Sequence, residues 1–408
     1  MRILFISPYV PSKIRVRPYN WIKYLAAQGH QVTLLSLTAG PDDEAALPEM
    51  TAVCERVRTV PHPRWRPLWN GLRALPSREP FQLAYSRLPA MDRLIEETIA
   101  TSQFDVAHIE HLRAACFAPA LRRLPVIYDA VDSISLLFER TLETSPSRSS
   151  RLMAGLDLKR TKNFEGQVLQ LFERVLVTSP DDAEQFRHLA PTADHSKLKI
   201  LPNGVDLDYF SFSEVGRKSN VMLFSGKMSY HANMATALYL HQEILPLIWQ
   251  QRPQVQLEIV GKDPGPSIQA MANDKRITVT GSLPDIRPHL HQATISVSPL
   301  RYSVGIQNKI LEAMACGLPV VTTLPGCKAL ATENGRHLLA ADSPTEFAQQ
   351  VLTLLNSPAL YQTLVKEGRR YVEVHHNWHS QTSRLVEVYQ EAIEEAARHA
   401  QGKRARIT

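Results

Sequence analysis

Residues 296–322 read SVSPLRYSVGIQNKILEAMACGLPVVT. The run 294–298 is short and β-branched and stops at Pro299, which reads as a buried strand. Gly305 follows in a loop where a residue without a Cβ lets backbone approach a ligand. Apolar residues then recur at helical spacing over 306–315, and Gly317-Leu318-Pro319 turns the chain into a second strand, 319–323. On the helix, Lys309 and Glu312 lie at i, i+3 on one face. A cation and a carboxylate near a helix start suit a nucleotide, ammonium to phosphate and carboxylate to ribose hydroxyls. The same spacing describes an ordinary surface pair, so it does not decide alone.

Outward from this segment the alternation continues. Strands are expected at 221–225, 256–260 and 277–280, with a helix over about 233–250. Toward the N-terminus, 2–7 (RILFIS), a helix from Pro18 to Gly29 and 31–37 (QVTLLSL) form strand, helix and strand with short links, hence a parallel βαβ unit. Further strands are expected at 105–109, 126–129, 174–178 and 199–201, with helices at 114–123 and 181–189 and a long amphipathic segment at 152–173. Pro202-Asn203-Gly204 is turn chemistry between two such series. The tail is helical at about 344–356, 358–373 and 380–399. The expected fold is α/β, with two doubly wound domains and ligands beyond the carboxyl ends of the strands. If the two domains face each other, loops from both line a cleft.

The chain has 408 residues, 44% hydrophobic and 21% charged, enough for two or three globular domains at roughly 100–200 residues each. Apolar stretches such as 317–324 fall short of the ~20 residues that span a bilayer. The start, MRILFISPYVP, lacks a long apolar core and a small-residue cleavage site, so a cytoplasmic protein is expected. Cys54, Cys116, Cys316 and Cys327 make no C-x-x-C pair and read as buried thiols. The net charge of +6 is mild and does not imply nucleic acid. From Arg56 to Arg93, however, eight arginines face only Glu79 and Asp92, interleaved with Trp65, Trp69 and Phe81. That combination suits a membrane interface as well as a solvated excursion.

The first strand-to-helix loop, SPYVPSKIRVRPYN, has no glycine, and no G-x-x-x-x-G-K-[ST] occurs, which excludes dinucleotide and P-loop fingerprints. Lys13, Arg15 and Arg17 beside a helix N-terminus read either as an anion site or as a solvated basic loop. In DVAHIEHLRA (105–114) a strand ends among His108, Glu110 and His111. In YDAVD (128–132) Asp129 and Asp132 either accept hydrogen bonds from an acceptor or cap the next helix. Asp206-Leu207-Asp208 follows the Pro-Asn-Gly turn and is not expected to hold a metal.

LEAMACGLPVV at 311–321 resembles the donor-binding segment of GT-B glycosyltransferases, glycosyltransferase family 4 in particular. LPNGVDLDYF (201–210), FSGKMSYHANMATAL (224–238), ITVTGSLPDIRPHLHQATISVSPL (277–300) and HNWHSQTSRLVEVYQ (376–390) resemble other family segments in the same order. The resemblance implies two facing Rossmann-like domains: an acceptor domain at 1–203, a nucleotide-sugar domain at 204–376, and a closing helix at 377–408 that returns to the first. It implies a retaining hexosyltransferase using a UDP- or GDP-sugar without a metal or other cofactor. The acceptor would be a glycan, lipid-linked or small-molecule hydroxyl, as in polysaccharide biosynthesis. Peripheral membrane contact through 56–93 and no specific nucleic acid are expected.

By the same resemblance, Glu312 holds the ribose and Lys227 replaces a family arginine on the diphosphate. The family's second basic residue is missing at Ala232 and Asn233, with Lys309 as the compensating cation. Gly226, Gly281, Ser282, Leu283, Arg301, Ser303, Gly305, Ile306, Gln307 and Asn308 complete the donor set. A family histidine falls between Glu110 and His111, which with Lys227, Lys309 and Glu312 form the expected catalytic set. Lys13, Arg15, Arg17, Asp129 and Asp132 are expected on the acceptor side or phosphate loop. Val304 stands where the family has its first glutamate. That departure keeps two alternatives open, a sugar-nucleotide epimerase or hydrolase of the same fold and a catalytically silent sugar-nucleotide-binding protein.

Overall fold

A computed structural model describes residues 1–63, 65–144, 148–214, 216–301 and 305–405. Two parallel sheets organise the chain. The first contains β1 (Arg2–Ser7), β2 (Gln31–Thr38), β3 (Arg56–Pro61), β4 (Val106–Glu110), β5 (Val126–Val131), β6 (Arg174–Val177) and β7 (Leu198–Ile200). The second contains β8 (Val221–Ser225), β9 (Gln256–Val260), β10 (Ile277–Val279), β11 (Ile295–Ser298), β12 (Val320–Thr322) and β13 (Leu339–Ala340). Their orders are β3-β2-β1-β4-β5-β6-β7 and β10-β9-β8-β11-β12-β13. Each sheet therefore reverses direction once, between β1 and β4 and between β8 and β11. Strand ends at such a reversal open a crevice because the flanking connections leave to opposite faces.

The central strands bury both faces, as their continuous apolar runs require: β1, β4 and β8 are buried over all or nearly all of their length. The chain divides into two compact units, Met1–Pro202 with Trp378–Thr408, and Asn203–Asn377. In the first, the helix Trp378–Ala405 packs on the sheet face shared with the helix Val16–Ala27; Trp21 and Trp378 meet edge to face at 4.8 Å. In the second, apolar clusters lie on either side of the sheet, one around Phe224 and Ile259, the other around Leu223 and Leu311.

Several local expectations need correction. The helix after β8 is not continuous: His231–Tyr239 passes through a π turn, Leu240–Ile244, into Leu245–Gln251, with Pro246 just beyond the irregular turn. The key helix begins at Asn308, not Ile306, because Gly305 sits at φ 64° and Ile306 is spent in the apolar core. The stretch 56–93 holds an edge strand, β3, and the helices Arg66–Ala74 and Phe81–Ser86, with a third, Pro89–Thr101, starting inside it. All four cysteines are buried free thiols.

Candidate functional site

In the second unit, polar groups gather at the carboxyl end of β8. The strand runs into Gly226 at φ 151°, and β9 runs into Gly261 at φ 150°, backbone that side chains rarely adopt. The two loops touch: a Cβ on Gly261 would lie 1.8 Å from the Gly226 carbonyl oxygen. A Cβ on Gly226 would lie 2.7 Å from Asn233 Nδ2 and 3.1 Å from Lys309 Nζ. These glycines let the loops lie flat so that two polar side chains close over them.

Asn233 joins the two basic positions. Its Nδ2 donates to the Lys227 carbonyl at 3.0 Å, and its Oδ1 accepts from Lys309 Nζ at 2.7 Å. The Lys309 ammonium also lies 4.6 Å from the centre of the Phe224 ring, a cation–π contact. Burial pulls Lys309 down to about 8, against the pull of Glu312. Burial pushes Glu312 up to about 7, opposed by Lys309. Among the described residues Glu312 has no hydrogen-bond partner and shares no ion pair with Lys309. The half-buried carboxyl therefore keeps its acceptor capacity for a ligand. The Lys227 side chain is exposed.

The rest of the expected donor set is not uniform. Gly305 is left-handed, as a close backbone approach requires, and Gly281 is also at positive φ, 71°. Ser282 is exposed, and Leu283 leans on the apolar core behind the helix. Ile306 is a core side chain, which leaves only its backbone to meet a ligand. Gln307 is the N-cap residue of the helix Asn308–Ala315. Asn308 Oδ1 accepts from Asn203 Nδ2 at 3.4 Å. Arg301 is exposed, 5.5 Å from the Tyr239 ring centre. Ser303 and Val304 lie outside the described residues. Sequence reasoning missed Asn233 as a bridge and Gly261 as the partner of Gly226. The signal was present in the parallel strand endings FSGK and IVGK.

In the first unit the strand ends at the sheet reversal are already partnered. Glu110 is buried at the end of β4; Ser7 Oγ donates to it at 3.2 Å and Tyr9 Oη at 3.0 Å. Burial, reinforced by the Asp129 charge, pushes Glu110 up to about 8, so near neutrality it mostly holds its proton. His111 sits at φ 70°, a costly conformation for a histidine. Burial, then Arg113, pulls it down to about 3, so the ring is neutral. Its Nδ1 lies 3.2 Å from the Arg113 backbone N–H. Accepting that bond puts the ring proton on Nε2, which becomes a donor.

The expected anion-site and acceptor-side residues of this unit, and His108, have partners within the fold. Arg17 and Asp129 are a buried ion pair, 3% and 0% exposed, at 2.7 Å. Arg17 also donates to the Leu201 carbonyl, and Trp21 Nε1 donates to Asp129 at 3.1 Å. Neither group faces an anion or an acceptor. Arg15 pairs with Asp43, and Lys13 with Glu49 at 3.3 Å, so the basic loop is matched by carboxylates and not poised for phosphate. His108 stacks on Phe5 and meets Tyr389 Oη at 2.8 Å, which makes it a structural tie to the closing helix. Asp132 accepts from Thr178 Oγ1 at 2.8 Å; burial and Asp182 push its pKa up. Glu165, not an aspartate of 128–132, caps the next helix, accepting from the Ile134 N–H at 2.8 Å.

Among the described residues no group of three His, Cys, Asp or Glu side chains is placed to hold a metal. Asp206 closes a turn instead, accepting from the Tyr209 N–H at 3.1 Å. No helix among them is long and apolar enough to cross a membrane.

The sequence family described as Glycosyltransferase Family 4 matches residues 15–209, and that described as Glycosyl transferases group 1 matches residues 219–357. A GDP-mannose:cellobiosyl-diphosphopolyprenol alpha-mannosyltransferase of Xanthomonas oryzae is 25% identical over 234 residues, 54% of this chain and 59% of that one. A D-inositol 3-phosphate glycosyltransferase of Catenulispora acidiphila is 26% identical over 278 residues, 61% of this chain and 63% of that one. The chain thus spans about three fifths of the length of these relatives. Among solved structures, sucrose-phosphate synthase from Thermosynechococcus elongatus superposes with a TM-score of 0.70 at 19% identity, covering 97% of this chain and all 100% of that one. Anabaena Alr3699/HepE in complex with UDP gives 0.68 at 15%, covering 96% and 100%. These two likenesses concern the fold.

Proposed function

The chain belongs to the family 4 glycosyltransferases of GT-B fold, and from that premise we propose that it transfers a hexose from a nucleotide-activated donor to an acceptor hydroxyl, with retention at the anomeric carbon. The acceptor class is a glycan, a lipid-linked saccharide or a small polyol, and the reaction takes place in the cytoplasm, at the inner face of the membrane if the acceptor is lipid-linked. The relatives' names include a GDP-mannose donor, a diphosphopolyprenol acceptor and an inositol phosphate acceptor. Solved neighbours carry UDP or UDP-glucose.

The observation that carries this reading is the Lys227–Asn233–Lys309 bridge over Gly226, beside an unpartnered Glu312. The donor diphosphate takes the two ammonium groups and the N–H groups opening the helix Asn308–Ala315. Glu312 accepts from the ribose hydroxyls. As the bond from the anomeric carbon to the diphosphate breaks and the acceptor oxygen bonds to that carbon, negative charge grows on the leaving oxygen, which fixed cations stabilise without reorganising and which takes up the proton the acceptor hydroxyl gives up. A second phosphate charge next to Lys309 favours its protonated form, so the donor supplies what keeps this residue charged. No metal is needed for that step. On the first unit, His111 Nε2–H donates to a sugar oxygen, and Glu110 holds Tyr9 and Ser7 in place.

The epimerase or hydrolase alternative requires a carboxylate pair. Among the described residues no second carboxylate acts on Glu312, which favours transfer. The test is release of nucleoside diphosphate from candidate sugar nucleotides, chosen by a melting-temperature screen. Slow release without acceptor, faster with one, and lost in Lys309→Ala supports transfer. Binding without turnover for any donor and acceptor would leave the silent reading in its place.

A further inference from the structure

We propose that the first unit docks on an anionic lipid bilayer through a surface built from two helices distant in sequence. Arg66–Ala74 is anchored by its inner face: Asn70 Nδ2 donates to the Arg87 carbonyl at 2.9 Å, and Ala74 is buried. Its outer face carries Trp65, Leu68, Trp69, Leu72 and Leu75 at helical spacing, each between 48% and 74% exposed. The helix Arg148–Glu165 runs nearby. Arg160 Nη2 donates to the Leu75 carbonyl at 2.7 Å, its guanidinium lies 4.3 Å from the Phe81 ring centre, and Asp157 accepts from the Phe81 N–H at 2.9 Å. Phe81 is therefore a half-buried strut and not an interfacial aromatic. The outer row of this second helix adds Leu152, Met153 and Leu156, 55–64% exposed.

Eight large apolar side chains on two joined helices exceed the scattered singles of an ordinary surface. What selects a membrane over another apolar partner is the charge around them. Arg66 and Arg73 lie over the rings of Trp65 and Trp69, 5.6 and 5.2 Å from the centres. Among the described residues none of Arg66, Arg73, Arg78, Arg148, Arg151 or Lys159 has an ion-pair partner, while the nearby acid Glu79 is taken by Arg87. Tryptophan and leucine at acyl depth with guanidinium groups at headgroup level match the chemistry of a bilayer carrying acidic lipids. A protein partner of such a face would need its own carboxylates, and a second copy would set arginine against arginine.

The experiment is flotation of the full chain with vesicles of phosphatidylcholine alone and with about one third phosphatidylglycerol. Binding is expected only to the acidic vesicles, weakening as salt rises. Trp65→Ser with Trp69→Ser, and separately Leu152→Ser with Leu156→Ser, should each reduce partitioning at least about tenfold, equivalent to about 1.4 kcal/mol. Arg66→Gln, Arg73→Gln and Arg78→Gln together should abolish the preference for acidic lipid. All variants should keep the melting-temperature rise with nucleoside diphosphate, so this result is separable from the donor site. No flotation of the parent at low salt, or flotation unchanged in both apolar pairs, overturns the proposal. A lipid-free dimer in sedimentation velocity that the same variants break overturns it in favour of self-association.

Discussion

The carboxyl ends of the two central strands, β1 and β8, are followed by loops that use basic residues in opposite ways. After β1, three cations in five residues look made for an anion, yet Lys13, Arg15 and Arg17 each reach a carboxylate, and the last pair is sealed from water. After β8, two lysines are joined by an amide, neither has an ion-pair partner among the described residues, and the nearby Glu312 carboxyl accepts no hydrogen bond among them. A basic residue is a binding group only when the fold leaves it without a counter-charge. Local sequence cannot tell the two cases apart, because Asp129 lies 112 residues from Arg17.

The largest expected effect breaks the sealed side. Arg17→Ala strands the Asp129 carboxylate away from water and should cost about 3–5 kcal/mol of folding stability, read from urea unfolding. A loss under about 1 kcal/mol would mean the pair is not buried in solution. On the open side, Lys309→Ala should lower kcat/KM by about 10²–10³ while leaving the urea midpoint nearly unchanged. An equal loss of both would turn Lys309 into a structural residue.

A titration sharpens the contrast further. Glu110 keeps its proton to about 8 in the fold, against an ordinary value of 4.5. Between these values the unfolded chain binds fewer protons than the folded one, so stability falls as pH rises through the window. Glu110→Gln should remove about 2–4 kcal/mol of that decline, followed as melting temperature from pH 5 to 8. An unaltered slope would mean the carboxyl is ionised in place. Gly226→Ala comes next. A Cβ against Asn233 at positive φ should cost about 1–3 kcal/mol and weaken nucleoside diphosphate binding, whereas Gly216→Ala, also at positive φ but with nothing near its Cβ, should leave binding unchanged. The smallest effect belongs to Lys13→Ala: an exposed pair should change stability by less than about 0.5 kcal/mol.

Much of the fold was legible because buried parallel strands read as unbroken apolar runs, as in RILFIS and VMLFS. The edge strand β3 was not, since RVRTVP mixes arginine and proline into a half-buried edge where the usual signal fails. On the site, Lys309 and Glu312 were found by spacing and resemblance. Asn233 was missed because its role depends on two glycine loops meeting, which no local pattern records. The tryptophans of 65–69 were noticed, but their partner row at 152–156 was hidden inside what reads as one more amphipathic helix.

Calorimetric titration of UDP and GDP into the parent chain, Glu312→Ala and the pair Lys13→Ala with Arg15→Ala tests the contrast most directly. One nucleotide should bind the parent, bind Glu312→Ala at least about tenfold more weakly, and bind the loop pair as it binds the parent. Affinity that survives loss of Glu312 but collapses with the loop pair would contradict that contrast.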